Sequence, residues 1–169
     1  MFGTGDFSKL FGAFKKDTKI TWDITPAVRS LNHNCVDEAG CNWEKATLCA
    51  FDQVEIEAKV DFLVCMDESK SFDPLLAAKG CATAKSGVDY DALKTCFNGD
   101  DGISLLKAAA DKFTEKFPGS TTIPHTFVNS DDVSPNYVAL EKALCAGGST
   151  VCTLDAHVAH CGEAARIMS

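Results

Sequence analysis

Nine cysteines stand at positions 35, 41, 49, 65, 81, 96, 145, 152 and 161 of a 169-residue chain, and their spacing decides what sulfur chemistry is open to them. No two are closer than six residues, so the chain contains no C-x-x-C. A dithiol reductase sets two sulfurs three positions apart at a helix amino terminus, where the dipole lowers the pKa of the first and the second resolves the mixed disulfide. Residues 1–169 carry no such pair, and the close spacing of a zinc knuckle is missing for the same reason. Cross-linking is the expected use, with Cys35, Cys41, Cys49, Cys65, Cys81, Cys96, Cys145 and Cys152 as candidates for three or four disulfides, and free or metal-bound thiols in a cytosolic protein are the alternative. Spacing does not assign the connectivity. An odd count leaves one cysteine outside intrachain pairing, and Cys161 is the candidate.

Other residues offer less. Cys152, His157, His160 and Cys161 form an alternative metal set, since two histidines three apart can share a helical face. The plainer reading is surface histidines beside a bridged or free cysteine, and no cofactor is expected. His33 and His125 are isolated in a loop and a strand, which favours structural roles. The stretch from Asn98 to Gly102 lacks the ligand ladder and closing Glu of a calcium loop and reads as a turn and helix start. The acidic run Asp67-Glu68 reads as a solvated face.

Positioning these residues is the task of one domain-sized chain that is 46% apolar and 24% charged. Its net charge of −8 repels a phosphate backbone, which excludes nucleic acid as an expected partner. No apolar run reaches the length of a membrane-spanning helix. Phe7, Leu10, Phe11 and Phe14 share one helical face, with Asp6 as a cap. That stripe could fold back on the chain's own core, dock in a partner's groove or lie on a lipid surface; partner binding is the role expected of it.

The alternating residues 18–25, TKITWDIT, predict a half-buried strand ended by Pro26, and a loop with Cys35 and Cys41 follows. Three- and four-residue steps from Asn42 to Met66 predict one long helix, on which Cys49 and Cys65 are rotated too far apart to pair. Asp73-Pro74 and Asp89 open short helices, Gly102 precedes another, and residues 137–146 and 153–167 supply two more. Residues 121–129, interrupted by Pro124, predict a strand, with a polar turn at 130–132 and a second strand after it.

The ladder Cys35, Cys41-Asn42, Cys49-Ala50, Cys65-Met66, Cys81, Cys96, then Asn98-Gly99-Asp100-Asp101-Gly102, Leu105-Leu106, Ile123-Pro124, Val128-Asn129, Cys145 and Cys152, resembles the gamma-interferon-inducible lysosomal thiol reductase (GILT) family. The likeness covers residues 35–155, and its most specific part is the gaps of eight and sixteen from Cys41 to Cys49 to Cys65. It implies a thioredoxin-like domain with a helical, disulfide-braced insertion that reduces protein disulfides in an acidic lumen. It also implies that Pro124 is a cis-proline. In that family a strand, a C-x-x-C and a helix come before a Cys-Gln-His-Gly signature; here TKITWDIT precedes Cys35, and Val36-Asp37-Glu38 stands where Gln-His-Gly would.

The expectation is therefore an α+β, predominantly helical chain: a truncated thioredoxin-like fold with a large disulfide-braced helical insertion. Its divisions are an arm over residues 1–17, a GILT-like domain over 18–155 and a helical tail over 156–169. The expected function is a non-catalytic subunit that binds protein through its arm as a scaffold component of a larger assembly. The alternative is a thiol-disulfide oxidoreductase using Cys35 and Cys41. The cysteines point to an oxidising lumenal or secreted compartment, whether endolysosome, endoplasmic reticulum, secreted space or thylakoid lumen, and hence to a processed chain.

Overall fold

A computed structural model describes residues 4–31, 34–36, 40–83 and 85–152. The described residues form two units, one of residues 4 and 22–124, the other of residues 5–21 and 125–152. In this division the helix over residues 5–14 groups with residues 125–152, and the expected tail over 156–169 lies outside the described residues.

Helices dominate the first unit. They are α2 (Asn42–Phe51), α3 (Ile56–Glu68), α4 (Pro74–Cys81), α5 (Tyr90–Asn98) and α6 (Asp100–Lys116). Helix α2 is central and touches α3, α4, α5 and α6. Small side chains permit that crowding: Ala46 and Ala50 are fully buried one turn apart on α2, and Ala77 and Ala78 are buried on α4. Phe51, Phe62, Met66 and Leu93 fill the space between. Where α6 starts beside the end of α5, a Cβ on Gly102 would meet the Cys96 carbonyl oxygen at 2.5 Å. Gly102 thus lies inside α6 as the point of closest approach, instead of preceding the helix as the sequence suggests.

The predicted long helix over 42–66 is two helices. Residues 52–55 break it, and Glu55 is extended at the start of α3. Gln53 holds the break: its Nε2 donates to the Cys49 carbonyl at 3.0 Å, and its Oε1 accepts from the Asp89 N–H at 2.9 Å. The predicted caps act locally, with Asp73 Oδ1 accepting from the Leu76 N–H and Asp89 Oδ1 from the N–H groups of Asp91 and Ala92. Residues 18–25 form no strand. Trp22 and Ile24 are half-buried while Thr21, Asp23 and Thr25 are exposed, so the alternation survives without a ladder partner.

In the second unit are α1 (Thr4–Phe14), the hairpin of β3 (Thr126–Val128) and β4 (Asp131–Val133), and α7 (Tyr137–Ala146). Asp6 lies in the first turn of α1 and not at its cap. The hairpin turn sits at Asn129-Ser130, one residue earlier than expected, with Asn129 at φ 57°. Asn136 caps α7 by accepting from the Ala139 N–H at 2.9 Å. The helix expected over 153–167 lies outside the described residues.

Among the described residues the strands make two separate two-stranded antiparallel hairpins, the other being β1 (Ser30–Leu31) with β2 (Asn34–Cys35) in the first unit. The result is a predominantly helical, disulfide-rich α+β fold. Among the same residues no helix is long and apolar enough to cross a membrane.

Candidate functional site

Four disulfides occur among the described residues: Cys35–Cys41, Cys49–Cys96, Cys65–Cys81 and Cys145–Cys152. Their chain separations of 6, 47, 16 and 7 residues set how much each restricts the unfolded chain. By loop-closure entropy Cys49–Cys96 contributes about 4 kcal/mol, Cys65–Cys81 about 3, and each short loop about 2. The first two staple α2 to α5 and α3 to α4 in the main apolar core, where Cys49 and Cys81 are buried. Cys49 and Cys65 thus face different partners, although they lie on two helices and not on one.

Cys35–Cys41 occupies a different setting. Cys35 closes the β1–β2 pairing opposite Ser30, and the next N–H, of Val36, donates to the Arg29 carbonyl at 3.1 Å. Arg29 in turn donates from Nη1 to the Thr121 carbonyl at 2.7 Å, which holds this segment against the chain after α6. Two successive left-handed residues, Gly40 at φ 98° and Cys41 at φ 46°, then turn the chain into α2. Cysteine rarely adopts that conformation, so the surrounding packing and the cross-link must hold it. Cys41 is the N-cap residue of α2, and its carbonyl accepts from the Lys45 N–H at 2.9 Å. It is 1% exposed in a small cluster with Val28, Leu48 and Ala109, against which Cys35 packs half-buried.

Helix position separates this pair from the rest. Cys49, Cys65, Cys81, Cys96 and Cys145 all lie in the last turn of their helices, and Cys152 follows α7. Among the described cysteines only Cys41 stands at a helix amino end. A thiolate is stabilised by the partial positive charge there and destabilised by the carbonyl ends of the other helices. The alternative catalytic pair, Cys35 and Cys41, is therefore one joined disulfide whose buried member is the N-cap residue of α2.

The proposed partner-binding stripe is not a free face. Leu10, Phe11 and Phe14 are 2–4% exposed and Phe7 is half-buried; the outer positions of α1 are Gly5, Asp6, Lys9, Gly12 and Ala13. An apolar stripe of four-residue period finds more apolar surface inside the chain's own fold than in water, which corrects the docking role assigned to it. Lys9 Nζ instead lies 4.6 Å from the centre of the Tyr137 ring on α7. The Tyr137 hydroxyl donates to Glu141, and burial, then the Glu141 charge, push its pKa upward.

The Ile123–Pro124 peptide bond is cis. His125 follows it, with Nδ1 2.8 Å from Asp132 Oδ2 across the hairpin. In the metal alternative, Cys152 is bonded to Cys145, while His157, His160 and Cys161 lie outside the described residues, as does His33. Among the described residues no group of three or more His, Cys, Asp or Glu side chains could hold a metal ion.

Sequence reasoning missed Asp17. Its buried carboxylate accepts from the Ser149 hydroxyl and the Thr150 N–H, both at 2.6 Å, and from the Lys19 N–H at 3.0 Å. These bonds, the Ser149 hydroxyl foremost, hold its pKa far below the usual carboxylate range. The anchor ties the segment after α1 to the loop closed by Cys145–Cys152. No local signal could have found it, since Ser149 is 132 residues away. No protein-family model matches the chain, and no curated protein matches it.

Proposed function

We propose that residues 1–169 act as a non-catalytic, disulfide-braced subunit similar to the GILT family, a truncated thioredoxin-like module that serves as a protein-binding or scaffold component in an oxidising lumen or secreted space. One observation carries this reading: the eight described cysteines are joined in four disulfides, none at the spacing of a dithiol reductase. Four disulfides also fit an oxidising compartment. Because Leu10, Phe11 and Phe14 are buried, a partner would meet a surface other than that stripe.

A second reading, protein-disulfide reduction through Cys35 and Cys41, draws on the half-exposed Cys35 linked to the amino end of α2. Insulin reduction driven by dithiothreitol separates the two. No turnover above the dithiothreitol background is expected, and turnover that Cys35→Ser abolishes would replace the first reading with the second.

A further inference from the structure

We propose that the Cys35–Cys41 disulfide is a modification site for low-molecular-weight monothiols, which attach to Cys35 before any other disulfide of the chain opens. The electrophile is the S–S bond itself, and two features of its setting direct the reaction. Cys35 is half-exposed on β2 while Cys41 is buried, so an incoming thiolate reaches the sulfur of Cys35. The departing sulfur is then that of Cys41, at the amino end of the ten-residue helix α2.

The step balances without a further reagent. The thiolate RS⁻ attacks Cys35 Sγ, the Cys35–Cys41 bond breaks, and its electron pair leaves on Cys41 Sγ. The products are the mixed disulfide Cys35–S–S–R and a thiolate on Cys41, the N-cap residue of α2. Attack by Cys41 on the mixed disulfide reverses the step and releases RS⁻, so attachment is reversible. A leaving thiolate of lowered pKa departs faster, and this is where the other bridges differ. Five of the six remaining described cysteines lie in last turns, where a departing thiolate meets the negative end of the helix.

Cys145–Cys152 is the internal control. Its loop is nearly the same length, 7 residues against 6, and both its cysteines are half-buried, yet its helical member ends α7 instead of opening a helix. Loop length and exposure alone would make this bridge at least as labile. The negative end of α7 makes it slower. The inference does not rest on the non-catalytic reading, because attachment is stoichiometric and needs no turnover; an insulin assay of either outcome leaves it standing.

The test uses the full oxidised chain, with any free thiol, Cys161 included, first blocked by iodoacetamide. The chain is exposed to 2-mercaptoethanol for timed intervals, trapped with N-ethylmaleimide and mapped by peptide mass. The expected first product carries mercaptoethanol on Cys35 and maleimide on Cys41, formed about tenfold faster than any adduct at the other six bridged cysteines. Opening of Cys145–Cys152 first or at an equal rate, or attachment of the thiol to Cys41, would overturn the proposal.

Discussion

The two short disulfide loops close almost the same length of chain, but one meets a helix at its beginning and the other at its end. Cys41 opens α2 with a left-handed backbone inside an apolar cluster; Cys145 closes α7 beside a loop fastened by a buried carboxylate. Equal spacing in the chain thus gives two different chemical settings. The units that contain them differ in the same sense. Residues 22–124 combine apolar packing around α2 with two long-range staples, whereas the unit with α1 and α7 adds a short staple and the polar anchor at Asp17 to its buried Leu10, Phe11, Phe14 and Leu140.

The largest test of that contrast removes one staple from each unit. Cys49→Ala/Cys96→Ala should lower stability by about 4 kcal/mol and Cys145→Ala/Cys152→Ala by about 2 kcal/mol, following the loop lengths. Urea unfolding resolves the two when tryptophan fluorescence, from Trp22 and Trp43 of the first unit, is set beside amide hydrogen exchange in α7 of the second. Equal losses from both pairs would show that loop length does not govern either bridge.

A smaller effect is expected at Asp17. Its folded pKa lies below the ordinary 3.8, so the stabilisation is full above that value and is lost as pH falls from there toward the folded pKa. Asp17→Asn should destabilise the second unit at neutral pH and flatten its acid dependence, read from amide hydrogen-exchange protection of α7 at pH 7 and pH 3. An unchanged acid slope would remove Asp17 as the anchor.

The smallest effect belongs to Phe72, which is 100% exposed between α3 and α4. Phe72→Ser should change the stability of the first unit by less than about 0.5 kcal/mol, because it removes no buried contact. A larger loss by tryptophan-monitored unfolding would mean that the apolar core of that unit extends beyond the side chains buried around α2.

What could be read along the chain was what local chemistry decides. The helices beginning at Pro74 and Tyr90 follow from an aspartate placed to cap the free N–H groups of the first turn, and the α7 segment from its apolar spacing. As a pair, Cys35 and Cys41 are legible only as the catalytic residues of the alternative reading, and nothing in their spacing says that they join to each other. The stripe of α1 was equally legible, but periodicity reports only that a face is apolar and not what covers it.

Residues 18–25 have the alternation of a strand, yet a strand exists only where another offers its hydrogen bonds, and none among the described residues does so. The break at 52–55 rests on Gln53 reaching Asp89, and the anchor at Asp17 on Ser149, pairs that only folding brings together. Composition therefore determined that this chain is a cross-linked helical protein, and short-range spacing determined most of its helices. Which sulfurs join was decided by tertiary structure alone, because contact depends on positions in space that chain distance does not encode.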